Sequence, residues 1–154
     1  MPAASARDDR PGDEPVPVLD AQGARELLRA ARRIAVVGAS PYPWRASSVV
    51  MAYLLEQGYD CVPVNPGATS VLGRPCFSSL GAAVEAAEGL GFDIVDVFRR
   101  AEHCPEIART AVATGCRALW LQQGIVSWEA ARVAHEAGLA VVMDRCTAVD
   151  HRSL

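Results

Sequence analysis

The chain has 154 residues and a formal net charge of −3. This length suits one globular domain, and the acidic balance disfavours a nucleic-acid or anionic-membrane surface, which would need a basic patch. All fifteen basic residues are arginine, which excludes Schiff-base lysines, a P-loop lysine and serine–lysine catalysis. No apolar run approaches the roughly 20 residues that span a bilayer. The first twenty residues also lack an apolar signal segment, so we expect a cytoplasmic protein.

The first part of the chain divides into a tail and the start of a folded domain. Residues 1–18 are rich in proline and charge, which predicts disorder, and the domain is predicted over residues 19–154. Asp20 is a suitable N-cap for a helix over Ala21–Arg32. The apolar run Ile34–Val37, which ends at Gly38, predicts a strand buried on both faces.

A unit then recurs in which a helix ends at a glycine and an apolar strand follows. The predicted helices with this pattern are Ala46–Gln57, Glu106–Thr114 and Ser127–Ala137, and the strands that follow them are Tyr59–Val64, Ala118–Leu121 and Leu139–Met143. A short strand at Gly73–Ser78, a helix at Leu80–Glu88 and a strand at Ile94–Phe98 lie between these units. Alternating strands and helices predict an α/β fold, with one doubly wound parallel sheet and helices on both faces.

Ligands of such sheets bind beyond the carboxyl ends of the strands. Four segments should therefore converge on one crevice; their residues are Gly38, Ala39 and Ser40, then Val64, Asn65 and Pro66, then Phe98, Arg99 and Arg100, and finally Gln123 and Gly124. Each of the four segments lies at the carboxyl end of a predicted strand.

The first of these segments has the chemistry of a phosphate site. A turn of small residues leads into a helix, whose N-terminus offers unpaired N–H groups. Ser40, Ser47 and Ser48 add hydroxyl groups and Arg45 adds charge. A tight turn followed by capping serines is the simpler alternative. Among the three tryptophans, Trp44 in this loop is the better candidate for ligand contact, whereas Trp120 and Trp128 are expected in the core or in helix packing.

A dinucleotide is the obvious competing ligand. The turn reads G-A-S and lacks the G-x-G-x-x-G pattern, and Asn65 stands where an NAD site needs an acid for the ribose hydroxyls. NADP stays open, because Arg45 could meet a 2′-phosphate. An NADP-binding redox enzyme or sensor is therefore one alternative, and an interaction protein without a ligand is another.

The cysteines and the C-terminus carry weaker signals. The five cysteines are odd in number and form no C-x-x-C pair, so we expect free thiols, although regulation through Cys61 or Cys146 stays open. Cys146 and His151 suggest a metal or a nucleophile, but a structural zinc needs four ligands. We therefore predict a terminal strand followed by a polar tail. Asp96 is interpreted as a buried hydrogen-bonding residue.

Five motifs in order resemble one family. They are VVGAS, GY-x-x-x-PVNP at Gly58–Pro66, VDVFRR at Val95–Arg100, WLQ-x-G at Trp120–Gly124, and VVMDRC at Val141–Cys146. They resemble the small bacterial CoA-binding proteins, which are similar to the N-terminal CoA-binding domain of the succinyl-CoA synthetase α-subunit. The resemblance covers about residues 20–154 and implies a Rossmann-like domain that binds coenzyme A.

The resemblance also implies roles for the crevice residues. The pyrophosphate would lie on Gly38, Ala39 and Ser40, beside Arg45 and Ser47, and the adenosine along Val64, Asn65 and Pro66. Phe98, Arg99, Arg100, Gln123 and Gly124 would form the other wall.

The resemblance to the synthetase is partial. The synthetase has a second domain with a phosphorylated histidine, and the three histidines here match no such motif. We therefore expect binding of coenzyme A or an acyl-CoA without catalysis by this chain. A homodimer or a complex with a partner protein stays open.

Overall fold

The computed structural model describes residues 16–154. The helices are α1 (Ala21–Ala30), α2 (Ala46–Glu56), α3 (Leu80–Ala86), α4 (Cys104–Ala113), α5 (Trp128–Glu136) and α6 (Thr147–Arg152). The strands are β1 (Arg33–Val37), β2 (Asp60–Val64), β3 (Ser70–Val71), β4 (Arg74–Pro75), β5 (Ile94–Val97), β6 (Ala118–Leu121) and β7 (Ala140–Val142). A 3₁₀ turn at Ala101–His103 leads into α4.

Five of the strands form one parallel sheet in the order β2-β1-β5-β6-β7. The chain leaves β1 for β2 on one side, and later returns to place β5 on the other side of β1. Val37, the last residue of β1, is in register with Val64 of β2 and with Val97 of β5. This arrangement confirms the predicted doubly wound, Rossmann-like sheet and places its switch point between β1 and β5.

Both faces of the sheet are covered, which explains why the strands are apolar throughout. Ala35 and its neighbours on one face pack with α3, α4 and α5, which contribute Leu80, Ala108 and Ala130. Ile34 and the opposite face pack with α1, α2 and α6. Successive strand residues therefore enter different cores.

The helix boundaries follow the signals in the sequence. The Asp20 carboxylate accepts a hydrogen bond from the Gly23 N–H at 2.9 Å, and Ser127 Oγ accepts one from the Ala130 N–H at 3.2 Å. Gly58 and Gly138 follow α2 and α5 with φ of +94° and +86°. These positions confirm the predicted caps and the helix–glycine–strand unit.

Two predicted elements differ from the structure. The strand predicted at Gly73–Ser78 is reduced to the two residues of β4. The chain turns at Leu72 and Gly73, which have positive φ, and β4 therefore pairs antiparallel with β3 outside the main sheet. The C-terminal tail is the helix α6. Its Ala148 is buried, and the Arg145 guanidinium donates to both oxygens of Asp150 at 2.6 and 2.8 Å.

The predicted disorder over residues 1–18 falls mainly on residues 1–15, which lie outside the described residues. Within the described part, Val16 is buried in the core. The Leu19 N–H donates to the Val141 carbonyl at 2.8 Å along the outer edge of β7. At the opposite edge of the sheet, the Phe77 N–H donates to the Pro63 carbonyl of β2 at 3.1 Å. Among residues 16–154, no helix has the length and apolar composition needed to span a membrane.

Candidate functional site

A cleft of about 450 Å³ opens where β1, β2 and β5 end. It is lined by Gly38, Ser40, Pro41, Tyr42, Arg45, Ala46, Ser47, Asn65, Gly67 and Phe98. Three of the four predicted segments thus contribute to one cleft at the switch point. Its volume is within the usual range for small-molecule sites.

Gly38 makes the turn after β1, with φ of +87°. A β-carbon placed on it would lie 2.9 Å from the Phe98 carbonyl oxygen and 2.9 Å from Arg99 Cδ. Its own N–H donates to the Val64 carbonyl at 2.9 Å. Only glycine fits this contact, which lets the turn lie against the end of β5.

The N-terminus of α2 opens onto the cleft. Arg45 is the N-cap residue and makes no side-chain capping bond. The first bond of the helix runs from the Val49 N–H to the Arg45 carbonyl at 3.1 Å, so the N–H groups of Ala46, Ser47 and Ser48 have no partner within the helix. With no acidic residue in the first turn, this end of the helix attracts anions.

The three predicted serine hydroxyls have different bonding roles. Ser47 Oγ accepts from the Ser40 N–H at 3.0 Å, and Ser40 Oγ accepts from the Tyr42 N–H at 3.1 Å. These bonds use only lone pairs, so both hydroxyl protons can be donated to a ligand. Ser48 is buried, and its Oγ donates to the Ser40 carbonyl at 2.5 Å. Its proton therefore stabilises the turn.

Asn65 joins two walls of the cleft. Its Nδ2 donates to the Ala39 carbonyl at 2.7 Å, and its Oδ1 accepts from the Gly67 N–H at 2.8 Å. Ala39 and Val64 beside it are buried, and Pro66 is exposed. The side chain at the end of β2 is thus a neutral amide that is engaged by the backbone at both ends.

The remaining predicted residues do not line the cleft. The stem of Arg99 lies over Gly38, whereas Arg100 is exposed, 3.9 Å from Glu102. Gln123 is exposed, and the Gly124 N–H donates to Asp144 Oδ1 at 2.6 Å. A ligand role for Arg99, Arg100, Gln123 and Gly124 stays a prediction.

Tyr42 lines the cleft and was missed by the sequence analysis. Its ring stacks on Trp44, with centroids 5.1 Å apart and an interplanar angle of 24°. The available signal was an aromatic residue between two prolines, directly before a helix N-terminus. Trp120 is fully buried, and the half-buried Trp128 packs against the core, which agrees with the expectation of core or helix packing.

A buried polar cluster lies under the sheet's carboxyl edge. Asp96 Oδ1 accepts from Gln122 Nε2 at 2.7 Å, and Oδ2 accepts from Thr147 Oγ1 at 3.1 Å. Burial raises the pKa of the Asp96 carboxyl to about 7, against the opposing effect of these two donors. Asp96 is therefore the buried hydrogen-bonding residue that the sequence predicts.

Cys61, Cys146 and His151 lie outside the cleft and pack against other side chains. Burial raises the pKa of the Cys61 thiol to about 12, which suppresses the nucleophilic thiolate. Cys146 precedes α6, and His151 Nδ1 lies 2.7 Å from the Tyr53 hydroxyl. Among residues 16–154, the structure brings together no group of three or more potential metal ligands.

Comparison with known proteins agrees with this architecture. The family model described as "CoA binding domain" matches residues 32–152. The uncharacterized protein YneT of Bacillus subtilis (strain 168) is 40% identical over 127 residues, which cover 82% of this chain and 90% of YneT.

Solved structures show the same fold over most of the chain. Prb, the PH1109 protein redesigned for binding, is 38% identical with a TM-score of 0.82, covering 91% of this chain and 95% of Prb. A hypothetical protein from Pyrococcus horikoshii OT3 is 37% identical with a TM-score of 0.81, covering 94% of this chain and 99% of that protein.

The fold also occurs in the dinucleotide-forming acetyl-coenzyme A synthetase 1 of Ca. Korarchaeum cryptofilum, at 22% identity and a TM-score of 0.62, covering 75% of this chain and 27% of the synthetase. The family match spans both the turn after β1 and the other strand ends that form the cleft. This protein is therefore a member of the CoA-binding domain family.

Proposed function

We propose that this protein binds coenzyme A or an acyl-CoA in the cleft at the switch point, and that it performs no reaction on the ligand itself. The observation that carries the proposal is the open N-terminus of α2, which faces a cleft in a member of the CoA-binding domain family. The ligand's diphosphate lies on the turn between β1 and α2.

The turn supplies the donors that a diphosphate needs. The first N–H groups of α2 and the hydroxyl protons of Ser40 and Ser47 can be donated to an anion, and the Arg45 guanidinium lines the same cleft. Because the chain has no lysine, these groups together with Arg99 supply the positive potential. The absence of a side chain at Gly38 lets this turn pack against the end of β5.

The end of β2 favours coenzyme A over a nicotinamide dinucleotide. An NAD site needs a carboxylate here for the ribose hydroxyls, whereas Asn65 is neutral and its amide is bonded to Ala39 and Gly67. The adenosine of coenzyme A lies along Val64, Asn65 and Pro66, where it needs no such acid.

The proposal that the chain is not itself an enzyme is supported by what surrounds the reactive side chains. Cys61 is buried and its thiol has a raised pKa. Asp96 is buried and accepts hydrogen bonds from Gln122 and Thr147. Neither side chain lines the cleft. We infer a carrier, a sensor or a subunit that presents coenzyme A to a partner protein.

Titration calorimetry tests the ligand, with Arg45→Gln as the variant. Loss of the guanidinium should weaken coenzyme A binding about tenfold or more, since a hydrogen bond to a charged group contributes about 1.5–3 kcal/mol. Arg117→Gln is the matched control. It removes the same charge from an exposed side chain directly before β6, at the edge of the sheet opposite to the cleft, and should leave the affinity unchanged.

Titrations also distinguish coenzyme A from the alternative ligand, NADP. Folded protein that gives no heat with coenzyme A or acetyl-CoA, but binds NADPH in a fluorescence titration, would replace this proposal with the redox alternative. Native mass spectrometry of the protein as purified from cells would identify a retained ligand by its mass and show the number of subunits.

A further inference from the structure

Two aromatic side chains are exposed to solvent at the edge of the cleft. Tyr42 is 54% exposed and Trp44 is 72% exposed, and their rings stack on each other. Isolated exposed apolar residues are common on protein surfaces, but adjacent ones at the edge of a binding cleft indicate a contact surface. We call Tyr42 and Trp44 the aromatic rim.

The aromatic rim is held in place before any ligand binds. The Tyr42 N–H donates to Ser40 Oγ at 3.1 Å, and the Tyr42 carbonyl accepts from the Arg45 N–H at 3.1 Å. Pro41 and Pro43 restrict the backbone on both sides of Tyr42. A surface that is already ordered loses little entropy when a ligand covers it.

The aromatic rim begins where the anion site ends. Tyr42 lines the same cleft as Ser40 and Ser47, and Trp44 directly precedes Arg45. A ligand that places its phosphates on the turn after β1 would therefore bring its next groups to these rings. Such a ligand has an anionic part and an apolar part.

We propose that the aromatic rim binds the acyl group of a CoA thioester, and that the protein prefers thioesters with apolar acyl groups of several carbons over free coenzyme A. This inference rests on the proposed function, which puts the adenosine along Asn65 and Pro66 at the end of β2, whereas the aromatic rim belongs to the loop between β1 and α2. The other arm of coenzyme A, which ends in the thioester, then leaves the turn on the side of Tyr42 and Trp44. Covering these rings with an acyl chain removes apolar surface of both partners from water.

The inference predicts a dependence of affinity on acyl length. Transfer of one methylene from water to an apolar contact is equivalent to about a fourfold gain in affinity when the methylene is fully covered. Because the aromatic rim is a surface and not an enclosed pocket, we expect about a twofold to fourfold gain for each added methylene between acetyl-CoA and hexanoyl-CoA.

Calorimetry with coenzyme A, acetyl-CoA, butyryl-CoA and hexanoyl-CoA tests this dependence on three proteins. The wild-type protein should bind more tightly as the chain lengthens, and Trp44→Ala should reduce that gain to less than twofold over the whole series. Leu90→Ala is the matched control, because Leu90 is another exposed apolar side chain, at 58%, in the segment between α3 and β5. It should keep the wild-type dependence. Circular dichroism verifies that each variant is folded.

Three results would overturn the inference. The first is equal affinity of the wild-type protein for coenzyme A and hexanoyl-CoA. The second is an equal loss in Trp44→Ala for hexanoyl-CoA and for adenosine 3′,5′-bisphosphate, which would place the adenine on the rim. The third is a change of subunit number in Trp44→Ala, seen by native mass spectrometry, with the length dependence intact. Failure of every CoA compound to bind would instead refute the proposed function.

Discussion

Replacing Gly38 by alanine tests whether the turn after β1 depends on close backbone contact. The substitution places a methyl group 2.9 Å from the Phe98 carbonyl oxygen, on a residue with φ of +87°. Gly138→Ala is the matched control, because Gly138 has φ of +86° and a β-carbon there meets no atom within 4 Å. The two variants share the backbone strain, and only Gly38→Ala adds the steric conflict.

The expected magnitudes follow from these two contributions. The left-handed conformation of a residue with a β-carbon costs about 1–2 kcal/mol, so Gly138→Ala should lower the free energy of unfolding by about that amount. At Gly38 the opposing atom is a backbone oxygen at the end of β5, which moves only with its strand. Overpacking of this kind costs about 1–3 kcal/mol more, so Gly38→Ala should lose about 2–5 kcal/mol in total.

Urea unfolding of both variants measures this difference directly. We expect Gly38→Ala to be the less stable of the two by at least about 1 kcal/mol, and its remaining folded protein to bind coenzyme A more weakly than the Gly138→Ala protein. Equal losses in the two variants would refute the argument, since they would mean that the Phe98 carbonyl does not resist the added methyl group.

Three further predictions concern polar side chains and their hydrogen bonds. Because the pKa of Asp96 is raised to about 7 in the folded protein, from an ordinary 3.8, the native state holds a proton that the unfolded chain has lost. The free energy of unfolding should fall as pH rises from about 4 to 7, by about 1.4 kcal/mol per pH unit. Asp96→Asn should remove this slope in urea unfolding at several pH values, and parallel profiles would contradict the assignment. Trp120→Phe removes the indole N–H that donates to the Arg145 carbonyl at 2.7 Å, and should cost about 1–3 kcal/mol in the same assay; no loss would mean that water replaces the donor. Asn65→Ala removes both amide bonds across the cleft, and should lower stability by about 1–3 kcal/mol and increase hydrogen exchange at Gly67, whereas unchanged exchange would show that the turn holds without the amide.

The central sheet could be predicted from sequence because its signals are local. The run Ile34–Val37 is apolar because both faces of β1 are covered, and Gly58 and Gly138 mark the ends of helices through a conformation that glycine adopts readily. Helix α6 gave no such signal. It is six residues long, has no side-chain cap, and depends on the Arg145–Asp150 pair and on its packing against α1 and α2.

The position of the cleft could also be predicted, since parallel strands end at one edge and the switch point is set by their order. The partners of individual groups could not. Ser47 and Ser48 are adjacent in sequence, yet one accepts a bond from the Ser40 N–H and the other donates to the Ser40 carbonyl. The Gly124 N–H is bound by Asp144, twenty residues further along the chain. Such pairings depend on how each loop folds and on how loops from different strands meet.

The contacts at the two sides of the main sheet bear on self-association. An uncovered edge strand presents unpaired backbone groups that can recruit a strand from another molecule. Here the Leu19 N–H donates to the Val141 carbonyl of β7, and the Phe77 N–H donates to the Pro63 carbonyl of β2. Pro63 itself has no backbone N–H that could pair with an added strand. On each edge, a backbone group that another strand would need is therefore already bonded within the chain, which hinders edge-to-edge aggregation of the folded protein.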